Sequence, residues 1–169
     1  MKKIFLLFAM AGTFAFTGCT VDDEPEVIEN DYIFEAEVFQ VNNVDFNDVS
    51  DNSVIIPLDP SILESDMVLV YRRTGMDGND PVWELIPSTY HVAEGQVDFN
   101  FDFSVNSVVV YLDATFDPII TPEFSQDQVF RVVIIPGYLS AGARMDFRDY
   151  KSVVERFNIE EANIRTINK

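Results

Sequence analysis

The stretch QVDFNFDFS, residues 96–104, alternates strictly for seven of its residues. Val97, Phe99, Phe101 and Phe103 fall on one side, and Asp98, Asn100 and Asp102 on the other. Successive side chains of a β-strand point to opposite faces, whereas a helix repeats a face every 3.6 residues. A strict period of two therefore commits this segment to a sheet with one buried and one wetted face. The phenylalanine face is the inner one, which puts Phe101 between Phe99 and Phe103 in the core.

The same period opens the folded part at residues 32–41, YIFEAEVFQV. Tyr32, Phe34, Ala36 and Val38 are set there against Glu35 and Glu37. Further strands are predicted at SVIIPL (53–58), DMVLVYRR (66–73), SVVVYLDA (107–114) and QVFRVVIIP (128–136). Pro57 makes the first of these an edge strand or one that ends in a bulge. VWELIPSTYHV (82–92) is either one strand kinked at Pro87 or two short ones. Asp77-Gly78 is a hairpin signal, and Glu94-Gly95 turns the next pair. Strands at short intervals with turn residues between them predict an antiparallel β-sandwich, immunoglobulin-like or similar. No long amphipathic helix interleaves them, which argues against a parallel α/β sheet. Near the end the period changes. Tyr150, Val153, Val154 and Phe157 lie at i, i+3, i+4 and i+7, one stripe of a short C-terminal helix. Asp146 or Asp149 caps it, Asn158 ends it, and NIRTIN returns as a last strand.

The 169 residues carry 29 acidic and 11 basic side chains, a formal charge of −18. Such a surface repels nucleic-acid phosphates and attracts cations and basic partners, so nucleic acid is not an expected ligand. The chain is nevertheless 47% hydrophobic with 15 Phe, ample for a packed core. It has a single cysteine, Cys19, so an internal disulfide and a thiolate metal cluster are both excluded.

Cys19 stands at a boundary. Lys2 and Lys3 precede an uncharged, largely apolar run over residues 4–16, thirteen residues long. A membrane span takes roughly 20, and the pattern is that of a secretory leader. Phe16-Thr17-Gly18-Cys19 resembles the lipobox of bacterial lipoproteins. Phe16 stands where leucine is usual, and Thr17 where serine or alanine is usual. The resemblance implies cleavage before Cys19 and acylation of its sulfur, with residues 1–18 as the signal peptide. The mature chain would lose both lysines and carry −20. Acyl chains contribute roughly 0.8 kcal/mol per buried methylene, so two or three hold a protein firmly on a bilayer. Residues 19–31 then read as a tether. The stretch after Cys19, TVDDEPEVIEND, has six acids and no aromatic residue, and like charges extend it. Asp22, Asp23 and Glu24 resemble the export signal of surface-exposed lipoproteins in Flavobacteriia. The folded domain is expected over residues 32–169.

The chain as a whole resembles a group of uncharacterised short lipoproteins of Flavobacteriia and other Bacteroidota. The resemblance rests on TGC (17–19), SDMVLVYRR (65–73), VWELIP (82–87), VDFNFDF (97–103), QVFRVVIIPG (128–137) and DYKSVVERFNIEEANI (149–164). It implies an outer-membrane location and an all-β fold, with no activity to carry over.

Few residues suggest chemistry. His91 is the single histidine, and no Gly-x-Ser-x-Gly, His-Glu-x-x-His or phosphate-loop motif occurs. A surface histidine and a non-catalytic protein are expected. Calcium takes six to eight oxygen ligands. Asp77, Asn79 and Asp80 in the hairpin, and Asp45, Asn47, Asp48, Asp51 and Asn52 in a loop, are weak candidates. Neither set has EF-hand spacing, and turn chemistry accounts for both. The row Asp98, Asn100, Asp102 is read as a solvated face. Trp83 alternates with Leu85 against Glu84, which favours a core place over sugar stacking. Arg131 pairs with an acid or snorkels to the rim. The function expected is that of a lipid-anchored envelope protein with a binding or structural β domain and no cofactor. The alternative is a calcium-dependent module at the surface that binds a glycan or an envelope protein.

Overall fold

The computed structural model describes residues 36–47, 51–140 and 144–169. Nine strands pair into two sheets. The larger contains β1 (Glu37–Val44), β3 (Met67–Asp77), β4 (Asp80–Leu85), β8 (Gln128–Ile135) and β9 (Arg165–Asn168), in the order β4-β3-β8-β1-β9. The smaller contains β2 (Ser53–Pro57), β5 (Ser88–Val92), β6 (Gly95–Ser104) and β7 (Ser107–Ala114), in the order β2-β7-β6-β5. The all-β sandwich with a short C-terminal helix is therefore the fold. One pairing departs from the antiparallel expectation. β9 runs parallel to β1, with Phe39 opposite Arg165 and Asn42 opposite Asn168. The helical segment before β9 turns the chain end for end, so the last strand enters the sheet in the direction of the first.

Turn chemistry sets the hairpins. Gly78 holds φ +63 in the β3–β4 turn, and Asp77 pairs with Asp80. Gly95 holds φ +147 after the β5–β6 turn, where a β-carbon would overlap Thr115 Oγ1 and touch the Phe116 ring. Pro57 does end an edge strand, since β2 pairs with β7 alone. Residues 82–92 form two strands, and the pair belongs to different sheets. Pro87 ends the ladder of β4, and the chain crosses to the smaller sheet as β5.

The core between the sheets is built from alternate residues of both: Phe39, Val41, Val70, Phe130 and Val132 against Val97, Phe99, Val108, Val110 and Leu112. Phe101 and Phe103 correct the reading of β6. Phe101 is half-buried and Phe103 is 49% exposed. β5 stops opposite Phe99, so beyond it β6 has a neighbour on one side only. The two rings stack on each other there, with centroids 6.4 Å apart.

The outer face of the larger sheet has a second apolar layer. Leu69, Tyr71, Val133 and Ile135 pack under Tyr150, Val153, Phe157 and Ile159. Those last residues come from α3 (Tyr150–Arg156) and its flanks, the helix expected from the stripe. Of the two candidate caps, Asp149 is the one used, its carboxylate accepting from the Ser152 N–H and Oγ–H. Asp146 instead accepts from the Arg148 N–H at 3.0 Å. Asn158, at φ 50, leaves the helix in the left-handed region. Two single-turn helices, α1 (Pro122–Ser125) and α2 (Gly137–Ser140), precede it.

Candidate functional site

Where β4 gives way to β5, both sheets end on the same side of the sandwich. An open groove of about 690 Å³ lies there, a volume within the range of small-molecule sites. Val82, Leu85 and Pro87 give it apolar wall, and Thr74, Thr89, Glu84 and Arg148 give it polar wall.

The groove's inner side rests on a linked set of polar groups. Glu84 and Tyr90 come from the two strands that meet at Pro87, six residues apart, and the Tyr90 hydroxyl donates to the Glu84 carboxylate. The same hydroxyl accepts from Arg72 Nη1 at 3.2 Å. Arg72 is buried between the sheets. It donates from Nε to Gln128 Oε1 at 2.7 Å and from Nη2 to the Glu123 carbonyl at 3.2 Å. Its guanidinium lies 4.3 Å from the centre of the Phe99 ring, a cation–π contact made stronger by desolvation. Burial, and then the bond to Glu84, raise the Tyr90 hydroxyl above the usual phenol value. Burial lowers Arg72, and the Tyr90 and Glu84 contacts oppose that. Tyr90 thus links Arg72 to Glu84 across the two sheets.

On the other face of β4, Trp83 belongs to the outer apolar layer. The Arg131 guanidinium lies 4.3 Å from the indole centre, and Tyr150 lies at 5.8 Å. Arg131 does pair with an acid. It binds Glu161, donates to the Tyr150 hydroxyl at 2.6 Å, and reaches Gln40 Oε1 from Nε at 3.2 Å. Burial pushes the Tyr150 hydroxyl up to about 12, although the Arg131 contact opposes the shift. Trp83 Nε1, from a groove-lining residue, is a buried side-chain polar atom without a partner among the described residues. Leaving such an atom unmatched costs about 1–3 kcal/mol.

The residues singled out from the sequence fall elsewhere or apart. Cys19, Asp22, Asp23, Glu24 and Asp48 lie outside the described residues. Asp77, Asn79 and Asp80 are exposed around the hairpin turn. Asp45 accepts from the Asp127 N–H at 2.9 Å, and the Asn52 N–H reaches the Asn47 carbonyl at 3.1 Å. Asp51 and Asn52 sit at φ 52 and 48, as turn residues do. Among the described residues no three His, Cys, Asp or Glu side chains gather in metal-ligating geometry. His91 is exposed on β5. Asp98 is engaged, accepting from Thr89 Oγ1 at 2.5 Å and Gln96 Nε2 at 2.6 Å, and these bonds hold its carboxyl below the usual range.

Sequence reasoning did not find the Arg72–Tyr90–Glu84 linkage. Its one signal was Arg72-Arg73 closing the apolar run MVLVY, where the first arginine has the parity of the buried Val68 and Val70. Compared with known protein families, curated proteins and solved structures, the chain matches none of them.

Proposed function

We propose that this is a lipid-anchored protein of the bacterial outer membrane, displayed at the cell surface, whose β domain binds a ligand without catalysing a reaction. The observation that carries the reading is Cys19. It is the one thiol of the chain, placed after Gly18 at the end of a leader whose residues 4–16 are uncharged and before a run of acids. Acylation needs one sulfur and no partner. The groove at the β4–β5 corner favours binding over a purely structural role. Glu84 is the one carboxylate lining it, too few oxygen ligands for a calcium site, so binding there does not depend on calcium.

The experiment is metabolic labelling with palmitate followed by protease treatment of intact cells. Cys19→Ala leaves the precursor uncleaved and unlabelled. Alanine at Asp22, Asp23 and Glu24 together leaves the label but makes the domain resistant to external protease. Equal labelling of Cys19→Ala and the parent overturns the anchor. A parent protein that resists protease on intact cells overturns surface display.

A further inference from the structure

We infer that the free edge of β6 beyond Phe99 is a docking site for an extended segment of a partner protein, one that alternates basic and apolar residues. The site is distinct from the groove at the β4–β5 corner and does not depend on what fills that groove.

The backbone register is the first argument. The Thr115 N–H donates to the Gln96 carbonyl at 3.0 Å, one step beyond the Val97–Ala114 pair of the β6–β7 ladder. In an antiparallel ladder, successive residues of a strand turn their backbone groups to opposite sides. The even-numbered residues of β6 therefore face β7, and the odd-numbered ones face β5. β5 begins at Ser88, opposite Phe99. The residue before Pro87 is held by the other sheet, since the Ile86 N–H donates to the Val70 carbonyl at 3.0 Å. The N–H and C=O of Phe101 and Phe103 thus point where no strand lies among the described residues. Such a row of donors and acceptors is a template for an added strand.

The second argument is what the two faces offer. A residue laid directly opposite Phe101 or Phe103 shares their side of the sheet. There it meets the stacked pair of rings, one half-buried and one 49% exposed. Leu63, 69% exposed, lies near this end of β6, because the neighbouring Ile62 N–H reaches the Val105 carbonyl at 2.9 Å. On the outer side the added strand meets Asp102, which is exposed and forms no ion pair among the described residues. The complementary segment is therefore apolar opposite the rings and basic opposite Asp102.

Charge decides between occupants. The formal charge of −18 attracts a basic segment. A second copy brings the same charge and is repelled. The chain's own residues 20–31 hold six acids and no lysine or arginine, so they suit the edge no better.

The probe is a heptapeptide that alternates valine and lysine, blocked at both ends. A valine–glutamate peptide is the comparison. A third peptide, N-methylated at its valines, keeps the lysine charges but loses the donors that face β6. The full-length protein is held in non-ionic micelles at physiological ionic strength, where charges beyond about 8 Å are largely screened. Calorimetry measures affinity, and amide hydrogen exchange read by nuclear magnetic resonance locates the contact. The valine–lysine peptide should bind at least about tenfold more tightly than either of the others. On binding, exchange at the Phe101 and Phe103 amides should slow by about tenfold or more. Asp102→Asn weakens binding about threefold, the scale of an exposed charge pair. Phe103→Ala weakens it as well, whereas Ile119→Ala, past the far end of β7, leaves it unchanged. Equal binding of the N-methylated or the glutamate peptide overturns the assignment. So does peptide binding that leaves exchange at Phe101 and Phe103 unaltered. Protection of these two amides in the free protein overturns it too. Protection that grows with protein concentration assigns the edge to a second copy, and constant protection assigns it to the chain's own residues.

Discussion

The two sheets of this sandwich solve different problems. β8, at the centre of the larger sheet, is buried at all eight positions. β6, at the centre of the smaller one, alternates between Val97 and Phe99, fully buried, and Asp98 and Asn100, half-buried on the outer face. The larger sheet has the smaller one on its inside and the C-terminal layer on its outside. Among the described residues, the smaller sheet has its core on one side only. The lesson is in the patterns. VVII (132–135) and MVLVY (67–71) are continuous apolar runs because inward and outward residues alike meet another apolar layer. VDFNFDF alternates because one of its faces meets water.

The largest expected effects test that difference by comparing the two faces of each central strand. Phe130→Ala on the inner face of β8 should cost about 3–5 kcal/mol, and Ile135→Ala on the outer face about 2–5 kcal/mol. Both residues are fully buried. On β6, Phe99→Ala should cost about 3–5 kcal/mol, and Phe101→Ala distinctly less because its ring is half-exposed. Urea unfolding measures all four. An Ile135→Ala variant as stable as the parent would mean that the outer layer is not packed, and the two sheets would no longer differ.

The sandwich class, both hairpin turns and the C-terminal helix were legible, and the end of SVIIPL and the helix cap were each narrowed to two alternatives, since all of these rest on local periodicity or local turn chemistry. Three features were not. The reach of the core along β6 depends on where β5 stops, which a single strand does not encode. The parallel seat of β9 depends on the path of the segment before it. The Arg72–Tyr90–Glu84 linkage joins three strands from two sheets, and no spacing announces it. The candidate site was less legible still. Trp83 was expected in the core and is partly so, yet its indole N–H ends unmatched beside a groove that forms where the two sheets stop.

A medium effect separates the C-terminal layer from the rest. Arg131 ties it down through Glu161 and Tyr150. Glu161→Gln should cost about 1 kcal/mol, since the carboxylate is half-exposed and screened. Alkaline pH acts on the same layer. Tyr150 is pushed up to about 12, and Tyr71, whose hydroxyl donates to the Phe147 carbonyl at 2.6 Å, is also raised by burial. An unfolded tyrosine loses its proton near pH 10. Above that pH the unfolded chain binds fewer protons than the folded one, so stability falls as pH rises. The contribution is complete below pH 10 and is lost as pH approaches about 12. Thermal melts should show a steep decline in that window, and Tyr150→Phe should make it shallower. A parent and a variant with parallel declines would place the sensitivity elsewhere.

The smallest effect belongs to the open face. Asn100 lies between Phe99 and Phe101 in sequence but on the other side of the sheet, opposite Tyr111 of β7. No core residue depends on its side chain, and water replaces whatever contacts it makes. Asn100→Ala should therefore change stability by no more than about 0.5 kcal/mol, the usual range for surface positions. The near-neutral result sharpens the contrast, because the next residue inward, Phe99, is among the most costly to truncate. A loss of about 2 kcal/mol or more in Asn100→Ala would show instead that the outer face of the smaller sheet is covered too. Residues outside the described chain segments, or a second molecule, would then be packed against it. Repeating the melt at several protein concentrations separates those two sources, since only a second molecule makes the midpoint depend on concentration.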